Sequence, residues 1–211
     1  MKSVKRLFLG AALLIAASVS AQQGQRVALA CKDIPAEAQQ LNMAERLVAY
    51  GRQTKTAMPI IQALQIYRQL NVTVDSSAVE YSDGLVAEAT RYADNNENLL
   101  RLLSDVQQAT RDGAVDGPKR FYISIPKDGG MVYRKTWLVR GRHAQIVLAG
   151  EGKTDLSMDV FTDDDQLVEQ DYSLGNYCVA AFIPTISAEF TIVVSNNGSN
   201  DSHAVLYVYN Q

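Results

Sequence analysis

Histidine and cysteine are scarce: the chain holds only His143 and His203, and only Cys31 and Cys178. The clustered Cys/His spacing of a structural zinc site is therefore missing, and no H-E-x-x-H pattern occurs. Neither histidine stands in a nucleophile-elbow context, and there is no G-x-S-x-G. No catalytic residue is assigned, and an enzyme is not expected. Basic charge is not in excess either. Twenty Lys and Arg face 23 Asp and Glu, for a formal net charge of −3. Without a basic run the chain lacks the electrostatic footprint of a nucleic-acid binder, and nucleic acid is not an expected partner. After the first segment no run is long and apolar enough to span a bilayer.

That first segment carries the clearest signal. Lys2, Lys5 and Arg6 precede an apolar run from Leu7 to Val19, and Val19-Ser20-Ala21 places small residues where a signal peptidase reads. Residues 1–21 are therefore expected to be a signal peptide, and the protein to be exported, periplasmic or extracellular. Removing three positive charges from a chain at −3 leaves the mature part at −6. A lipoprotein anchor at Cys31 is disfavoured, because Gln22, Gln23, Gln25 and Arg26 separate it from the apolar run. An exported chain meets oxidising conditions, so Cys31 and Cys178 are candidates for a disulfide, the alternative being two separate buried thiols. A link across so long a loop would contribute on the order of 4–5 kcal/mol at most.

The hydrophobic period changes near residue 113. Before it, Leu41, Ala44, Leu47 and Val48 make one helical stripe, ending at Tyr50-Gly51. A second helix is expected from Thr56 to Leu70, with Pro59 in its first turn, where its missing N–H does no harm. A third uses Leu85, Ala89 and Tyr92. The fourth follows i, i+3, i+4, i+7 through Leu99, Leu102, Leu103 and Val106. Short loops imply a small bundle. After Gly113 the period is two: Phe121, Ile123 and Ile125 alternate with polar neighbours. Further strands are expected at 132–140, 144–149, 156–162, 167–171, 177–183, 190–196 and 204–209. Eight short strands with turn-rich separators predict an antiparallel sandwich with jelly-roll or Greek-key wiring. The expected class is α+β: a helical domain over 22–112, then a jelly-roll-like β-sandwich over 113–211.

Candidate binding residues come from the acidic and aromatic side chains. Asp155, Ser157 and Asp159 alternate with core-facing Leu156, Met158 and Val160. Asp163 follows in the next turn. Asp155, Asp159 and Asp163 form a candidate calcium set, since calcium takes six to eight oxygens, although no D-x-[DN]-x-[DN]-G loop is present. No other cofactor is expected. An ordinary solvated edge, with Asp155 accepting backbone N–H bonds at a turn, is the competing reading. Tyr172, Tyr177, Tyr207 and Tyr209 lie on or beside strands, and Trp137 is the only tryptophan. Turned outward, the tyrosines would make a platform for a carbohydrate or a protein; turned inward, they would be core.

The stretch Gly152-Lys153-Thr154-Asp155-Leu156-Ser157-Met158-Asp159-Val160-Phe161, followed by Leu167-Val168, resembles the bacterial pre-peptidase C-terminal domain family. Phe182-Ile183-Pro184, the strand Phe190-Thr191-Ile192-Val193-Val194 and the turn Asn197-Gly198-Ser199 continue the likeness. Ser157 stands where the family pattern has a second aspartate, and Asp165 where it has a turn glycine. The resemblance covers about residues 118–211 and implies a jelly-roll sandwich appended to secreted proteins. The implied function is a non-catalytic binding or interaction module. The alternative is an accessory or targeting domain acting in trans with a secreted peptidase or other hydrolase.

Overall fold

The computed structural model describes residues 28–30, 35–108, 117–152, 154–172 and 175–210. The signal segment 1–21 and Cys31 lie outside the described residues. Strand β1 (Ala28–Ala30) is followed by helices α1 (Ala36–Thr54) and α2 (Ala57–Gln69) and the short strand β2 (Thr73–Val74). A 3-10 turn at Ser76–Ala78 leads into α3 (Val79–Ala93) and α4 (Glu97–Gln108). Eight strands complete the chain: β3 (Lys119–Ile125), β4 (Gly130–Leu138), β5 (Ala144–Gly150), β6 (Leu156–Thr162), β7 (Leu167–Asp171), β8 (Tyr177–Pro184), β9 (Ala188–Asn196) and β10 (Ser202–Asn210). The protein is α+β, with helices followed by a jelly-roll-like sandwich.

One sheet runs β1-β8-β5-β10-β3-β2 and the other β4-β9-β6-β7. All pairings are antiparallel except the short parallel contact of Thr73 and Val74 with Lys119 and Arg120. The flanking strands β1 and β2 come from the helical part of the chain, so the larger sheet is completed from both halves of the sequence. Leu156, Met158 and Val160, with Phe190 beside them, face Ile146, Leu148, Phe182 and Leu206 of the other sheet, all fully buried. Burying each such side chain contributes about 1.5–3 kcal/mol.

Strand patterning records which sheet is covered. On β4 half-buried and exposed positions alternate from Gly130 to Trp137, as on a sheet with one face open. On β5 six consecutive residues, Ala144 to Ala149, are buried, and Ala204 to Val208 of β10 are buried without a break. Such runs arise when both faces are covered. The cover is the helical layer. Val147, Val205 and Tyr207 share one core with Leu41, Val48, Ile60, Ile61, Leu85 and Leu103. The protein is thus three layers, helices on sheet on sheet.

The helices are held by shape as well as by apolar area. Helix α1 runs one turn beyond the expected stop at Tyr50-Gly51, and Gly51 is buried against α2. A Cβ built there would lie 2.7 Å from Ile60 Cγ1. The turn closes with Lys55 in the left-handed region, its N–H donating to the Gly51 carbonyl. Arg52 ties three elements together, donating to Glu88 of α3 at 2.8 Å and to Glu151, just after β5, at 2.9 Å. Tyr177 Oη on β8 donates to the Ala38 carbonyl of α1 at 2.9 Å.

Candidate functional site

The smaller sheet leaves its outer face open, and β4 forms that sheet's edge. Period two sends Met131, Tyr133, Lys135 and Trp137 to this face, while Val132 and Leu138 pack inward. Met131 is 54% exposed, and Tyr133 and Trp137 are 65% exposed each. The Tyr133 hydroxyl contacts Met131 Sδ at 3.5 Å, tying the two side chains together along the strand. The two rings are four residues apart, about 13 Å along the strand. Lys135 stands between them and donates to Glu189 at 2.7 Å, across from Trp137 on β9.

The register continues this surface inward. Tyr133 opposes Val193, which opposes Asp159 on β6; Lys135 opposes Thr191, which opposes Phe161. Tyr172, 58% exposed just after β7, donates its hydroxyl to Asp159 Oδ1 at 2.6 Å. That bond, with the aspartate's charge beside it, raises the phenol's pKa. The face therefore carries aromatic surfaces interleaved with charged and hydroxyl groups.

The four tyrosines expected as a platform are separated by the fold. Tyr172 alone lies on the open sheet. Tyr207 is fully buried under the helices, and Tyr177 is half-buried against α1. Tyr209 is half-buried on the same side of β10 as Tyr207, and the charge of Glu37 on α1, after burial, raises its pKa. An outward position on a sandwich strand is not open when a helical layer lies over that sheet. The missed members of the open face are Tyr133 and Met131; Met131-Val132-Tyr133 is apolar without alternation, so the sequence carried no sign of which side each takes. Asp155, Asp159 and Asp163 are not gathered: no cluster of three or more potential metal ligands occurs among the described residues. Asp159 is engaged by Tyr172, Asp163 is exposed in the β6–β7 turn, and the Asp155 carbonyl accepts the Asn197 N–H at 2.8 Å. Cys178 is a free, fully buried thiol that contacts the Leu156 carbonyl at 3.4 Å. Burial pushes its pKa up to about 12.

One histidine belongs to a surface pair. Ser124 Oγ and His203 Nδ1 lie 2.9 Å apart on directly opposed positions of β3 and β10, both exposed, and the imidazole stacks on Tyr122.

A second polar constellation is buried where the helices meet the larger sheet. Glu45 of α1 accepts from Tyr67 at 2.6 Å, from Tyr81 at 2.9 Å and from Tyr207. Burial, then the charge of Glu45, holds all three phenols well above their ordinary pKa, so they remain donors. Arg120 of β3, 2% exposed, donates from Nε to Tyr207 Oη and from Nη1 to Ser82 Oγ, both at 3.1 Å. Its guanidinium stacks on Tyr67. Arg120 also lines a cleft of about 410 Å³ between α2, α3, α4 and the start of β3.

No known family profile matches the chain, and no curated protein matches it. Among solved structures, the pre-peptidase C-terminal domain of a collagenase from Bacillus anthracis is similar at 14% identity, covering 44% of this chain and 89% of that one, with a TM-score of 0.38. PliG of Aeromonas hydrophila, a periplasmic inhibitor of g-type lysozyme, is similar at 14% identity over 49% of this chain and 92% of its own, with a TM-score of 0.35. A carbohydrate-binding module crystallised with calcium and xylotriose is similar at 10% identity over 49% and 87%, with a TM-score of 0.29.

Proposed function

We propose that this protein is a non-catalytic binding module, exported by its N-terminal segment, and that it takes a carbohydrate chain on the open face of the four-stranded sheet. The observation that carries this reading is the paired exposure of Tyr133 and Trp137 on one strand face, with Lys135 between them and paired to Glu189. Aromatic rings left in water lose the apolar contact that would stabilise them, and a sugar's C–H face supplies it. The interleaved carboxylates, ammonium and hydroxyls match the ring hydroxyls of the same ligand. A protein partner fits less well, because protein interfaces are depleted of charge at their centre, and here an ion pair occupies it.

Affinity electrophoresis of the purified chain through gels containing soluble polysaccharides tests this directly. Retardation by at least one polysaccharide is expected, with a loss of tenfold or more in Trp137→Ala and Tyr133→Ala and no change in melting temperature. Native protein that no polysaccharide retards, or variants retarded equally, would overturn the reading. Export is checked by N-terminal sequencing of the chain recovered outside the cytoplasm, which should begin at Gln22.

A further inference from the structure

We infer that the cleft between α2, α3, α4 and the start of β3 binds a small organic carboxylate with an apolar body, its anionic end paired with Arg120. This site is separate from the aromatic face and does not depend on it. Arg120 is 98% buried by area, given its 2% exposure, and two of its three nitrogens are committed: Nε to Tyr207 and Nη1 to Ser82. The third, Nη2, is buried and makes no hydrogen bond. A buried charged donor without a partner is strongly disfavoured, so such a group calls for an acceptor.

The guanidinium cannot turn away to satisfy itself. Tyr67 covers one of its faces at 3.8 Å, and the two hydrogen bonds fix its plane. Among the described residues no carboxylate lies within ion-pair distance of it; Glu45 is engaged by the tyrosine hydroxyls. Arg120 is thus a pre-organised cation with one donor unused, and a carboxylate forms the stronger, charge-assisted bond.

The cleft's walls select the rest of the ligand. Leu64, Val86 and Val106 line it with apolar surface, and Arg68 adds a second positive charge. Asp83 is the acidic residue on its wall, leaving the two arginines in excess. A volume of about 410 Å³ lies in the range of small-molecule sites. An inorganic anion leaves these apolar walls uncovered and loses its own hydration on entry, so it is not expected to occupy the cleft.

The test follows the Arg120 Nε–Hε resonance of the full chain by NMR during titration with octanoate, octanol and inorganic phosphate. Octanoate is expected to shift the resonance saturably and raise the melting temperature, while octanol and phosphate do neither. Val86→Trp, which fills the cleft without touching the Arg120 hydrogen bonds, should weaken octanoate binding at least tenfold, and Arg68→Glu several-fold. If Val86→Trp does not fold, Arg68→Glu and Arg68→Gln supply the comparison, with loss expected to be greater in the former. An unmoved Arg120 resonance, an equal response to octanol or phosphate, or full binding by folded Val86→Trp would overturn the inference.

Discussion

The guanidinium of Arg120 lies on the ring of Tyr67, its Cζ 3.8 Å from the ring centroid, inside the layer where helices meet the larger sheet. Glu45 reaches the same layer from α1, bound by the hydroxyls of Tyr67, Tyr81 and Tyr207. A negative and a positive group are thus joined through three phenols rather than by direct contact. Tyr67→Phe removes the hydrogen bond to Glu45 and should lower stability by at least about 1 kcal/mol. Glu45→Ala leaves the Arg120 charge uncompensated and should lower it by about 3–5 kcal/mol. Urea denaturation measures both, and the pair Glu45→Gln with Arg120→Met should lose less than the sum of its single changes.

Gly51 lets α1 and α2 approach. Adding one methyl in Gly51→Ala places a carbon 2.7 Å from Ile60 Cγ1 and 3.1 Å from the Thr56 carbonyl. The helices must separate or Ile60 must leave its rotamer, so a loss of about 1–3 kcal/mol is expected. Thermal unfolding should show a lower midpoint, and Gly51→Ala with Ile60→Val should recover part of it.

Asp75 caps the 3-10 turn before α3 and answers to pH. Its Oδ1 accepts from the Ser77 N–H at 3.2 Å, and its Oδ2 pairs with Lys119 at 3.2 Å and Arg134 at 3.5 Å. The Ser77 N–H, first, and then the neighbouring donors and cations lower its pKa to about 2, partial burial opposing them. A depressed carboxylate stabilises the fold above its unfolded pKa of about 3.9, and that contribution is lost as pH falls toward 2. Asp75→Asn should therefore be less stable than the native chain at neutral pH, with the difference shrinking between about pH 4 and pH 2. Denaturation at several pH values would show whether the two curves converge.

Cys178 should be chemically silent while the protein is folded. It is fully buried and its pKa is pushed up to about 12, so almost no thiolate is present at pH 8. Iodoacetamide should label it slowly in the native chain and quickly in denaturant without reductant. Labelling in denaturant only after reduction would instead mean a bridge to Cys31.

The strand periods were open to reading from sequence, and so was the helical stripe through Leu99, Leu102, Leu103 and Val106. The same strands also carried information that was read too simply. Ala204-Val205-Leu206-Tyr207-Val208 is an unbroken apolar run, the mark of a strand covered on both faces. That run assigns Tyr207 to the interior, whereas the mixed sequence of 130–138 does not show that Tyr133 faces water. Arg120 and Glu45 gave no such sign. Each is a single charge whose burial depends on groups distant in sequence, Tyr207 from one end of the chain and Tyr67 and Ser82 from the other. The strands β1 and β2 escaped notice because two or three residues are too few to show a period.

Both borders of the larger sheet are supplied from earlier in the chain, by Ala28–Ala30 against β8 and by Thr73–Val74 against β3. During synthesis these pieces, and the helices between them, emerge before the strands they will join. Thr73–Val74 must wait for Lys119–Arg120, Ala28–Ala30 for Phe182–Pro184, and the helices for Val205 and Tyr207. Trimming the product to its sandwich alone would strip away both borders and uncover the apolar back of β5 and β10. The piece recovered would be an adhesive slab inclined to pair with its own kind.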